Sequence, residues 1–129
     1  MDTAELHLFA GWIAMGTGVF AGAVIGLGFH EEEWAGGYGS WSRRMLRLGH
    51  ISLFGIGFLN LLFGFTLRAV SVASPQSWIS SLGFLVGLIA MPSVCFLSAW
   101  RKPFRHLFPI PVLGVLVGIV SLLLGWSST

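Results

Sequence analysis

The chain alternates long apolar runs with short polar punctuation. One run follows MDTAEL and lasts to HEEE, a second follows RRMLRLGH, a third lies between SPQS and WRKP, and a fourth follows FRHLFPIP and lasts to WSST. Each segment is close to the roughly 20 residues that cross a hydrocarbon core at ~1.5 Å per residue. In lipid the backbone must satisfy its own hydrogen bonds, so such runs are helices. No strand alternation interrupts them. The pattern predicts helices over about 5–29, 45–70, 78–100 and 107–126. The connections are short, apart from HEEEWAGGYGSWSRR, and short connections favour antiparallel neighbours. The expected fold is an all-α integral membrane protein, one domain over residues 1–129. Its four transmembrane helices should form an antiparallel up-down bundle with both termini on one side. The acidic start MDTAEL lacks the positive charge of a secretory signal, so the first run is expected to be a retained helix.

Composition agrees. The chain is 55% hydrophobic and 9% charged, against about 25% charged in soluble domains. The pI near 9.3 then speaks of topology rather than of nucleic acid. Arg43, Arg44, Arg47, Arg101, Lys102 and Arg105 fall on the side opposite the termini, and only Arg68 falls on the terminal side. That asymmetry predicts cytoplasmic loops at 30–44 and 101–106, with termini in the periplasm of a bacterial inner membrane. Trp34, Tyr38, Trp41 and Trp100 belong to one aromatic belt, and Trp78 and Trp126 to the other.

Eighteen glycines are arranged in stripes. The first helix carries Gly18, Gly22 and Gly26; the second Gly55, Gly57 and Gly64; the third Gly83 and Gly87; the fourth Gly114, Gly118 and Gly125 with Ser121. Helices gain little from hydrophobicity within lipid, and small residues let backbones approach closely. These stripes predict helix packing, inside the chain or against other subunits. A flat ring such as a porphyrin or quinone is the alternative occupant. Pro92 should free the carbonyl of Leu88 and kink the third helix, with Ser93 near enough to cover the exposed group. Pro109 and Pro111 suit a helix entry.

Ionisable and amide groups inside spans are costly and carry the functional hypotheses. His50 lies about 20° around its helix from Gly57 and about 40° from Gly64 at 100° per residue. A histidine above a glycine groove, with Arg43, Arg44 and Arg47 nearby, is an arrangement that suits haem b, with His30 or His106 as the second ligand. The alternative is an interfacial histidine bonded to a headgroup, water or backbone. His7 lies on the opposite side from His50 and is expected at the interface. Asn60 is expected near mid-membrane in an interhelical hydrogen bond, with pigment, quinone or substrate contact as the alternative. Arg68 is expected to pair with Glu5 or to snorkel to phosphate. Cys95, the single cysteine, excludes an intrachain disulfide and reads as a packing residue.

No mid-span carboxylate is present for a proton-coupled exporter, and no HExxH, phosphate loop or Ser-His-Asp order appears. No motif is specific enough to assign a family. The functional expectation is a non-catalytic accessory subunit of a larger membrane complex, handling electrons or light in respiration or photosynthesis, with lipids and other membrane subunits as partners. Two alternatives stand beside it. One is a haem-b electron carrier using His50. The other is a small oligomeric channel or transporter lined by Asn60, Ser93 and the Pro92 kink.

Overall fold

A computed structural model describes residues 1–126. It is all-α, with four helices, α1 (Thr3–Gly28), α2 (Trp41–Ala69), α3 (Ser74–Trp100) and α4 (Pro109–Gly125). A 3-10 turn, Trp34–Gly36, lies in the first connection and another, Lys102–Leu107, precedes α4. Four segments, Thr3–Gly28, Trp41–Ala69, Ser74–Trp100 and Lys102–Gly125, are long and apolar enough to cross a membrane.

The helix ends have local causes. Asp2 caps α1: Glu5 N–H donates to Asp2 Oδ1 at 2.7 Å, and the Glu5 carboxylate accepts from Asp2 N–H at 3.1 Å. This capping box satisfies two otherwise orphaned donors. Ser40 caps α2 by accepting from Arg43 N–H at 3.1 Å. That cap starts α2 four residues before the apolar run at 45, so the arginine cluster forms its first turns. Pro75 occupies the opening turn of α3, where a missing N–H costs nothing. The helix continues through Pro92. Ser93 Oγ donates to the Ile89 carbonyl at 2.6 Å, one residue beyond the Leu88 carbonyl that the sequence suggested it would cover.

The four helices pack in chain order, α1 on α2, α2 on α3 and α3 on α4, with only a thin contact between α1 and α3. Their registers run in opposition. Along α1, Ala4 meets Gly64, Gly11 meets Gly57 and Leu61, Gly18 meets Leu53 and Phe54, and Gly22 meets His50. Gly125 O, at the end of α4, accepts from Ala73 N–H beside the start of α3 at 3.0 Å, and Val72 bridges Trp126. The start of α1 thus shares one end of the array with the ends of α2 and α4.

Small residues make the seams. The buried positions of α1 are Ala4, His7, Gly11, Ala14, Gly18 and Ile25, spaced by three and four, with one full heptad between the last two. A Cβ added at Gly11 would lie 2.7 Å from the Gly57 carbonyl oxygen, and one at Gly64 would lie 2.9 Å from the Ala4 carbonyl oxygen. In the α3–α4 seam, a Cβ at Gly83 would collide with the Gly114 carbonyl. Gly87 faces Val115, and Gly114 and Gly118 face Val86 and Phe84. Gly26 differs: nothing lies within 4 Å of its Cβ position. Each four-residue step advances about 40° around an α-helix, so the Gly18–Gly22–Gly26 series drifts off the seam and Ile25 takes the buried place.

Candidate functional site

A buried polar cluster joins three helices through His7, Asn60 and Ser81. His7 and Asn60 are fully buried and Ser81 nearly so. The Gly11–Gly57 and Ala4–Gly64 contacts bracket His7 and bring it level with Asn60. His7 Nδ1 lies 2.7 Å from Asn60 Oδ1, and Nε2 lies 2.8 Å from Ser81 Oγ. The proton positions follow from the outer partners. Asn60 Nδ2 donates to the Ile56 carbonyl at 2.8 Å and faces the Phe84 carbonyl at 3.5 Å. Turning the amide would set its oxygen against those two carbonyls, so Oδ1 must face His7. Nδ1 therefore donates. With the ring neutral, Nε2 accepts from the Ser81 hydroxyl. The result is a directed chain from Ser81 through His7 and Asn60 to the backbone of α2.

Rings close around the cluster. Phe63 meets His7 edge to face at a centroid distance of 4.6 Å, and Phe84 packs on Phe63 at 4.8 Å. Both ring nitrogens of His7 are engaged, so neither is available to a metal. One turn above, a cleft of about 610 Å³ is bounded by Ala4, Ser77, Asp2 and Arg68. Arg68 and Glu5 approach to 4.0 Å at its rim, both about half exposed, a geometry that contributes little to stability.

His7, expected at the interface, has a side chain fully enclosed by protein. The start of α1 packs against the interior of α2, and the helix pairing sets its depth. Ser81, the third member, is a residue that sequence reasoning missed. The available signal was its place in a Ser-Ser pair directly before the apolar run LGFLVGLIAM.

His50 occupies a different setting. Its ring lies over Gly22, where any Cβ would strike Cε1. His50 Nδ1 donates to the Gly18 carbonyl at 2.9 Å, and Phe54 meets the ring edge to face at 5.4 Å. A carbonyl only accepts, so Nδ1 carries the proton. Nε2 has no hydrogen-bond partner among the described residues. The glycine groove beyond His50 is filled: Gly57 touches Gly11, Ala14 and Met15, and Gly64 touches Ala4 and Leu8. A flat ring laid along Gly57 and Gly64 would therefore have to displace α1.

His30 and His106 are exposed. His30 stands 3.9 Å from Glu31, and no hydrogen bond or ring contact joins either histidine to His50 among the described residues. No group of three metal-ligating side chains occurs among the described residues. Asn60 is sealed within the helix array, whereas Ser93 is exposed and bonded to its own helix. Cys95 is fully buried.

Of the arginine cluster, Arg43 turns inward and is 3% exposed. Trp41 also turns inward, donating from Nε1 to the Ser98 carbonyl at 2.8 Å, and Ser42 Oγ donates to the Ala99 carbonyl at 2.8 Å. These bonds tie the start of α2 to the end of α3. The chain matches no protein-family model, and no similar curated protein or solved structure was found for it.

Proposed function

We propose that the chain is an integral membrane subunit of a larger complex, non-catalytic itself, contributing helices for packing. Its helices cross the membrane as an antiparallel up-down array. The termini are non-cytoplasmic, and loops 30–44 and 101–106 lie in the cytoplasm of a bacterial inner membrane. The basic-residue asymmetry supports that orientation.

The observation that carries the subunit reading is the open row of helices. The interior seams are closed by backbone contact and by the hydrogen bonds of His7 and Asn60. Helices α1 and α4, at the two ends of the row, each present an apolar face with no neighbour in this chain. On α1 that face includes Gly16 and Gly26, whose Cβ positions are open. Small residues on an outward face suit close approach by another helix. The test is mild-detergent extraction of native membranes followed by native electrophoresis. The expected result is co-migration with other membrane chains, and a cysteine at Gly26 should cross-link to one of them. Migration of this chain alone would refute the reading. A cysteine at Gly39 labelled only from the periplasm would refute the orientation.

A respiratory or photosynthetic complex is the class favoured by His50. Its Nδ1–H is anchored on a backbone carbonyl, which sets the tautomer and leaves Nε2 with a free lone pair, as for a histidine that ligates a metal. This supports haem b held at the boundary between this chain and another subunit, with the second ligand from the partner. Haem would supply one-electron transfer, and His50 would hold and orient its iron. The visible spectrum of the native complex tests it: a Soret band unchanged by His50→Ala would remove this reading.

A further inference from the structure

Arg43 stands at the third residue of α2, buried, yet no carboxylate oxygen among the described residues lies within 4.0 Å of its guanidinium. Two of its N–H groups donate to backbone carbonyls, Nη1 to Glu32 at 3.0 Å and Nη2 to Phe29 at 3.3 Å, while Nε–H has no acceptor. The Phe29 ring lies 4.5 Å from Cζ, and the Trp34 and Tyr38 rings lie 5.7 Å from it. Ring faces attract a cation but do not neutralise it. A buried charge without a counter-charge is costly.

Against this guanidinium lies a cavity of about 400 Å³, walled by Phe29 and Tyr38 and bordered by Glu32 and Glu33. Both glutamates and Tyr38 are exposed, so the cavity opens outward. Its charges stand in opposition: one buried cation and two exposed carboxylates. A simple anion would be repelled by the glutamates and a simple cation by Arg43. The site lies where α1 ends and α2 begins, the depth at which lipid headgroups sit if these helices span a membrane.

We propose that this cavity binds a phosphoethanolamine lipid headgroup, with its phosphate at the Arg43 guanidinium and its ammonium on the Glu32 and Glu33 carboxylates. The proposal rests on the membrane-spanning reading of α1 and α2, not on the subunit or haem readings. Phosphocholine has the same charges but no N–H to donate to a carboxylate. Phosphoglycerol has no cation.

The test uses the full chain in neutral detergent, offered equal amounts of phosphatidylethanolamine, phosphatidylcholine and phosphatidylglycerol with identical acyl chains. Retained lipid is read by native mass spectrometry. Phosphatidylethanolamine adducts should exceed each of the others by about tenfold, the scale of one charge-assisted hydrogen bond. The E32Q/E33Q variant changes only exposed side chains and keeps the Arg43 contacts to backbone. It should lose the preference and retain more phosphatidylglycerol. Equal adducts of the three lipids on the unaltered protein, or an unchanged preference in E32Q/E33Q, overturns the proposal. A parallel arm offers soluble phosphoethanolamine. Adducts as strong as the lipid's would make the free compound the ligand and overturn the lipid assignment; the expected result is lipid adducts alone.

Discussion

His7→Phe tests the directed hydrogen-bond chain most closely. Phenylalanine keeps a ring against Phe63 and removes both nitrogens. The two broken bonds, 2.7 Å to Asn60 and 2.8 Å to Ser81, should not cost the same. The Ser81 hydroxyl can rotate and bond a carbonyl one turn back in α3. Asn60 Oδ1 cannot, because Nδ2 is held by the Ile56 carbonyl, so the oxygen is left buried and bare. An orphaned acceptor costs about 1–3 kcal/mol, whereas an interhelical bond in a membrane protein averages about 0.6 and reaches about 1.7 kcal/mol. His7→Phe should therefore destabilise by roughly 2–4 kcal/mol, the sum of one orphaned group and one ordinary lost bond. Asn60→Leu and Ser81→Ala complete two double-mutant cycles. Coupling between His7 and Asn60 should be about 1–2 kcal/mol, and between His7 and Ser81 below about 1 kcal/mol. Reversible unfolding in mixed micelles, followed by circular dichroism, measures all five variants. A His7–Asn60 coupling near zero, or one smaller than the His7–Ser81 coupling, would refute both the proton assignment and the chain built on it.

The other predictions use the same assay or simple labelling. Gly83→Ala should cost about 1–3 kcal/mol because its methyl meets the Gly114 carbonyl and the Gly118 backbone, while Gly26→Ala, facing open space, should be neutral or stabilising by less than about 1 kcal/mol. Ala35 has a left-handed backbone, φ 54°, so Ala35→Gly should raise stability by about 0.5–1 kcal/mol, the relief of strain less the added freedom of the unfolded chain. Arg68→Gln should change stability by no more than about 0.5 kcal/mol, since its 4.0 Å contact to Glu5 is half exposed. A membrane-permeant maleimide should modify the fully buried Cys95 only after unfolding, read as a mass increase.

The sequence located the helices to within a few residues because lipid crossing imposes a length and an apolar composition on each segment. The misses lie where charge and helix coexist. Arg43 and Arg44 fell in the expected loop 30–44, yet they belong to α2 because the Ser40 cap and the Trp41 and Ser42 bonds to α3 anchor a polar first turn. Which residues share a depth was less legible. His7 and Asn60 each carry a polarity signal, but their meeting depends on which glycine of α1 faces which glycine of α2. That register is a property of two helices together. Arg43 shows the same limit: its charge was read as orientation, whereas its burial depends on the fold of the loop around Phe29, Trp34 and Tyr38.

The packing of each helix on the one synthesised before it bears on how the protein is made. An array whose contacts follow chain order needs few long loop closures, so each emerging segment finds its docking face already in the bilayer. The His7 cluster sets one exception to this stepwise growth. When only α1 and α2 have been inserted, the hairpin holds the His7–Asn60 bond, but Nε2 has no partner within it. Ser81 on α3 supplies one, so the cluster is complete only when the third helix has joined the first two.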